Sequence, residues 1–144
     1  MAQTEVIQRR IQERNRRIKQ AESYAEEIAK RLGPITAVII GSTSRGDFNA
    51  WSDIDVVIIS PKLPENPLRR LDAVSSTSHP DVEPIPLRPQ DAERLARKKA
   101  PVITEIIQGI ILRDDLSIIP KLKKWQQKEN IKQPMSQTSH GLSS

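Results

Sequence analysis

A chain of 144 residues can bury one modest core and has no room for a second substantial domain. It has no cysteine, which excludes a disulfide frame and a thiolate zinc site, and its two histidines, His79 and His140, form no ligand cluster in the sequence. The formal net charge of +5 suits nucleotides, nucleic acid or an acidic protein alike. A charged N-terminus and apolar runs far below about 20 residues predict a cytoplasmic protein without signal peptide or membrane span.

The first predicted element is one long helix from about Thr4 to Leu32. Ile11, Ile18, Ala25 and Leu32 recur at seven-residue steps, with Ile7, Ala21 and Ile28 between them, and Arg14 interrupts the seam. Either only the second half, Ala21 to Leu32, packs on the sheet, or the helix also pairs with another subunit, giving a homo-oligomer through this helix. Arg9, Arg10, Arg14, Arg16, Arg17 and Lys19 make the first half strongly basic. Such a run is a solvated face or a surface for an acidic partner or nucleic acid.

After the Gly33-Pro34 break, Ile35 to Ile40 reads as a strand ending at Gly41, and a short helix is expected to open at Ser42. Glycine lets an anion approach the backbone, a helix start offers free N–H groups, and Ser42 adds a hydroxyl donor. Arg45, one turn on, can reach either a phosphate or the carboxylate of Asp47. From Asp53 to Ser60 the chain is rich in Ile and Val, which predicts a buried strand. Side chains alternate along a strand, so Asp53 and Asp55 share a face, roughly 6 to 7 Å apart by backbone rise. Two ionised carboxylates so placed repel each other and are costly to desolvate, an arrangement that a divalent cation relieves. Phe48 and Trp51 lie in the loop beside them, either to stack on a nucleobase or to cover the loop.

Downstream, 61–67 reads as a linker, Pro67 to about Ser78 as a short helix, and Val82 to Leu87 as a short apolar run carrying Glu83. Pro84 and Pro86 cannot donate ladder hydrogen bonds and predict an edge strand. A helix starting at Pro89-Gln90-Asp91, a helix over Pro101 to Gln108, a strand over Gly109 to Arg113 and a basic helix from Leu116 to about Lys128 follow. The polar segment 129–144 lacks periodicity and is expected to be disordered.

Gly41-Ser42, Arg45-Gly46-Asp47 and Ser52-Asp53-Ile54-Asp55 together resemble the signature of the nucleotidyltransferase superfamily that includes DNA polymerase β, especially its small prokaryotic minimal nucleotidyltransferases. The resemblance covers about residues 35–114 and is specific to the superfamily, not to a substrate. It implies an α/β fold over 33–128, with a mixed, palm-like sheet and helices, preceded by the long helix of 1–32. It implies that Gly41, Ser42 and Arg45 contact an NTP, and that Asp53 and Asp55 hold Mg²⁺ or Mn²⁺. A third carboxylate on a neighbouring strand would assist the metal or act as base. Glu83 fits the family's hydrophobic-acid pattern, although Glu is longer than the usual Asp, and Asp81, two residues earlier on the same face, is the runner-up.

The activity so implied is transfer of a nucleoside monophosphate, AMP from ATP in the first instance, to an acceptor hydroxyl. Stand-alone relatives of this size often act as antitoxins that nucleotidylate a HEPN-type helical partner. Two other readings stay open: a catalytically weak nucleotide- or partner-binding module, and an RNA- or small-molecule-modifying transferase.

Overall fold

The runs at 35–40 and 54–59 are apolar except for Thr36 and Asp55 because the strands they form are covered on both faces. In the computed structural model, which describes residues 2–128, they are β1 (Thr36–Ile40) and β2 (Ile54–Ile59). These are the central strands of a four-stranded sheet ordered β3-β2-β1-β4. β3 (Val82–Leu87) runs parallel to β2, while β1 pairs antiparallel with both β2 and β4 (Ile110–Asp114). The sheet is therefore mixed, as the resemblance implies.

β3 is an edge strand, and its prolines explain why. The N–H of Ile54 bonds to the carbonyl of Asp81 and that of Ser60 to the carbonyl of Leu87. Odd-numbered residues of β3 thus turn their backbone toward β2, and Pro84 and Pro86, in the even register, face the free edge where no donor is needed.

Two helical layers enclose the sheet. On one face α1 (Ala2–Leu32) and α3 (Pro67–Val74) pack Ala21, Tyr24, Ala25, Ile28 and Val74 against Ala37, Ile39, Ile54, Val56 and Ile58. On the other, α4 (Pro89–Arg97), α5 (Pro101–Gln108) and a final helix α6 (119–128) pack Ala92, Ala96, Ile103, Ile106 and Leu122 against Val38, Ile40, Val57 and Ile59. Alternation along β2 therefore sends Ile54, Val56 and Ile58 toward α1 and leaves Asp55 on the α5 side. Proline stands at the first position of α3, α4 and α5, where its missing N–H costs nothing. Asn66 caps α3 through its side chain, and Asp91 of α4 reaches back to the N–H of Arg88.

The helices stand where expected, although α3 ends at Val74 rather than near Ser78 and α6 begins at 119 rather than 116, and the buried face of α1 departs from the predicted seam in its first half. Ile7 and Ile11 are 58% and 55% exposed, whereas Arg17 is 4% exposed. The seam in contact with the domain is Arg10, Arg14, Arg17, Ala21, Tyr24 and Ile28. Of the basic run, Arg9, Arg16 and Lys19 are exposed, as a solvated face requires, whereas Arg10, Arg14 and Arg17 are bonded to α2 and the loop after it, as described below. Among the described residues no helix is long and apolar enough to cross a membrane. The segment expected to be disordered lies outside the described residues.

Candidate functional site

At the end of β1 the chain turns through Gly41 into α2 (Gly41–Arg45), a single short helix. Gly41 has φ +73°, in the left-handed region, and a Cβ there would stand 2.6 Å from Oδ2 of Asp55. Glycine is thus required twice, by its backbone conformation and by the close approach of a carboxylate. α2 ends at Gly46, φ +84°, whose N–H bonds to the carbonyl of Ser42 at 2.8 Å. The chain then returns through 47–53, where Asn49 accepts from the N–H of Trp51 and Ser52 Oγ accepts from the N–H of Asn49.

β2 places Asp55 in register with Ile40 on one side and with Glu83 on the other. Asp53, one step outside β2, is exposed, Asp55 is half-buried and Glu83 is exposed. Burial, then the charges of Glu83, Asp53 and Glu105, push the Asp55 carboxyl above the usual carboxylate range, and Arg45 opposes them. The fold therefore gathers negative charge around a carboxylate that resists carrying it, an electrostatic demand for a cation beside the backbone of Gly41 and Ser42. Oxygen donors of this kind suit a hard divalent ion such as Mg²⁺ or Mn²⁺. Among the described residues no three His, Asp or Glu are already gathered as a closed metal-binding cluster. The coupling between Asp53, Asp55 and Glu83 is electrostatic and open.

Asp81, the alternative third acid, stands differently. Its carbonyl accepts from Ile54, and its charge acts on Arg16 of α1, which Glu13 chiefly holds in the charged form. Glu83, directly across from Asp55, is the acid that acts on Asp55. Arg45 is more than half exposed, with Nε 3.2 Å from Asp47 Oδ2 and Nη1 3.7 Å from Glu105 Oε1. It thus meets Asp47, as one reading of the sequence had it, while standing at the rim of the carboxylate group.

Glu105 was not singled out from the sequence. It sits between the buried Ile103 and Ile106 on α5, and only the packing of α5 against β1 brings it toward Asp55. The two aromatic residues of the loop part company. Phe48 is buried, and the guanidinium groups of Arg10 and Arg17 each lie over its ring, 4.7 Å from the centroid. Trp51 is 91% exposed.

The family of the nucleotidyltransferase domain matches residues 21–136. No curated protein sequence matches the chain. A solved structure from Sulfolobus solfataricus, assigned as a nucleotidyltransferase, superposes with a TM-score of 0.55 at 25% identity, covering 71% of this chain and 84% of that one. A toxin–antitoxin structure with AMP-PNP superposes with a TM-score of 0.50 at 19% identity over 83% of this chain and 98% of that one, a likeness of fold. The strand, glycine turn, short helix and carboxylate strand are one unit inside the matched segment, and the chain belongs to the nucleotidyltransferase domain family, as a transferase.

Proposed function

We propose that this chain transfers a nucleoside monophosphate, AMP, from ATP to an acceptor hydroxyl in a reaction that depends on Mg²⁺ or Mn²⁺, with pyrophosphate leaving. The observation that carries the reading is the placement of Asp55, in register with Glu83 of β3 and two residues after Asp53, against the Gly41 turn, where a Cβ would stand 2.6 Å from its Oδ2. Asp53 and Asp55 would hold the metal, with Glu83 completing the donor set. When bound, the ion would neutralise the crowded carboxylates and the triphosphate and stabilise charge on the departing pyrophosphate. Gly41 and Ser42 seat the phosphates through backbone N–H groups and the Ser42 hydroxyl, and Arg45 adds positive charge at the rim. The acceptor oxygen forms a bond to the α-phosphorus as the bond to pyrophosphate breaks, and Glu83 takes the hydroxyl proton.

The acceptor in this proposal is a hydroxyl on a HEPN-type helical partner. Support comes from the toxin–antitoxin neighbour holding AMP-PNP and from the fully exposed Trp51 next to the site, a ring free to engage a second surface.

Calorimetric titration of ATP into the full chain tests the core of the reading. Binding is expected with Mg²⁺ or Mn²⁺, to be lost with chelator, and to be lost in Asp55→Asn; equal affinity with and without metal overturns it. The same variant carries an opposite sign for stability. A carboxyl whose folded-state affinity for protons is raised destabilises the fold once pH exceeds its unfolded value. Asp55→Asn is therefore expected to unfold at a higher temperature than the wild type in metal-free neutral buffer.

A further inference from the structure

The loop that carries the glycine turn and leads to Asp53 has few apolar anchors of its own; within 43–52 only Thr43 and Phe48 are buried. It is held from outside, by three arginines on one face of α1. Arg10 Nη2 donates to the carbonyls of Gly46 at 2.9 Å and Phe48 at 2.8 Å. Arg14 donates from Nε to the carbonyl of Thr43 at 3.1 Å and from Nη2 to that of Ser44 at 2.9 Å. Arg17 donates from Nη1 to the carbonyl of Ser52 at 2.8 Å and from Nη2 to that of Asn49 at 2.9 Å. Each guanidinium thus meets two carbonyls, and Arg10 and Arg17 also contact the Phe48 ring.

All six acceptors are backbone carbonyls. Three belong to α2 or the residue after it, groups that a one-turn helix leaves without intrahelical partners. Cations there complement the negative end of α2 and leave its opposite end, at Gly41 and Ser42, free for an anion. Because the clamp reads only backbone, it fixes where the loop runs while leaving the side chains of Asn49, Ala50 and Trp51 outward and exposed. Arg17, the residue just before Ser52 and Asp53 in this series of contacts, is itself buried, so its position is set by packing. The three arginines lie N-terminal to residues 21–136, the segment that matches the family.

We propose that Arg10, Arg14 and Arg17 are positioning residues for the nucleotidyl-transfer site: α1 clamps the backbone of 43–52 and thereby sets the spacing between the Gly41-Ser42 turn and Asp53. The functional arm of this inference rests on the nucleotide reading above; the structural arm does not.

Arg14→Ala is the first variant, since Arg14 is half-buried, whereas Arg17 is buried and lies over the Phe48 ring, so that Arg17→Ala risks the fold. Hydrogen exchange on the full-length chain is expected to rise at the amides of 42–52 and to stay unchanged in β1 and β2. ATP affinity, measured with Mn²⁺, is expected to fall by on the order of 10-fold, the scale of losing charge-assisted hydrogen bonds such as the two that Arg14 makes. Arg14→Lys, a point donor that cannot serve two carbonyls together, should fall between alanine and wild type. A cavity of 270 Å³ lined by Ile7, Arg10, Ile11, Arg14, Gly46 and Phe48 adjoins the truncated position. Added methylguanidinium, at concentrations too low to unfold the chain, is therefore expected to restore affinity in Arg14→Ala and not in wild type. Unchanged exchange in 42–52, or loss of protection spread equally over β1 and β2, would overturn the inference. If the wild type binds no nucleotide at all, the functional reading fails, and the exchange measurement alone then decides the clamp.

Discussion

Replacing Gly41 by alanine tests the closest contact in the site. Two costs are visible in the structure. Gly41 has φ +73°, and holding an L-residue in that region costs about 1–2 kcal/mol. The added Cβ would also stand 2.6 Å from Asp55 Oδ2, well inside contact distance, so the carboxylate must leave its preferred rotamer at about 0.5–1.5 kcal/mol. The sum, about 1.5–3.5 kcal/mol, corresponds to a fall in Tm of about 5–15 °C for a chain of this size. A double-mutant cycle separates the parts: in an Asp55→Ala background the clash disappears, and the penalty of Gly41→Ala should shrink to the backbone cost alone. Thermal unfolding of the four proteins in metal-free buffer gives the cycle directly. Equal penalties in both backgrounds would refute the idea that Gly41 is glycine because of Asp55.

Other perturbations have equally definite expectations. Glu83→Gln is expected to abolish nucleotidyl transfer while keeping the fold and most ATP binding, and Asp81→Asn to be mild; the reverse ranking in a transfer assay moves the third acid to Asp81. Asp91 is buried, which by itself raises its pKa, yet the Arg88 N–H, Arg70 at 2.8 Å and Arg94 at 3.1 Å hold the carboxyl below the usual range. A lowered folded-state pKa stabilises above the unfolded value near 4 and is lost as pH falls through the folded one, so Asp91→Asn should cost about 2–3 kcal/mol at pH 7 and less in denaturant titrations below about pH 4. Val6, Ile7 and Ile11 leave an apolar stripe on α1, and burying such side chains contributes about 1.5–3 kcal/mol each. Light scattering is expected to show concentration-dependent self-association, weakened in Ile7→Ser/Ile11→Ser; a monomer at high micromolar concentration would refute it.

Much of the architecture was legible because the local signals agree with one another. The breaks at Gly33-Pro34, Pro67, Pro89 and Pro101 mark element starts that the fold uses, and the paired prolines of β3 announce an edge strand. The motif residues from Gly41 to Asp55 lie close in sequence, so strand alternation alone places the Asp55 carboxylate. Glu105 was not legible, because its approach to Asp55 depends on how α5 crosses β1, a long-range packing choice with no periodic trace.

That Ala21 to Leu32 packs on the sheet was one of the two readings of α1, but the arginine contacts of its first half were not legible, for a different reason. Apolar periodicity finds a buried face only where burial is apolar, and the hydrophobic residues there, Ile7 and Ile11, point to the wrong face. Arg10, Arg14, Arg17, Ala21, Tyr24 and Ile28 form a stripe at alternating four- and three-residue steps as regular as any hydrophobic seam. Its N-terminal part is basic because what it covers is backbone carbonyl rather than side chain, and guanidinium groups satisfy carbonyls that a one-turn helix and a short loop leave unpaired. A helix whose buried stripe changes from apolar to arginine midway is crossing from a sheet to a loop, and here the crossing falls between Arg17 and Ala21, where α1 leaves the sheet and reaches the segment that leads to Asp53.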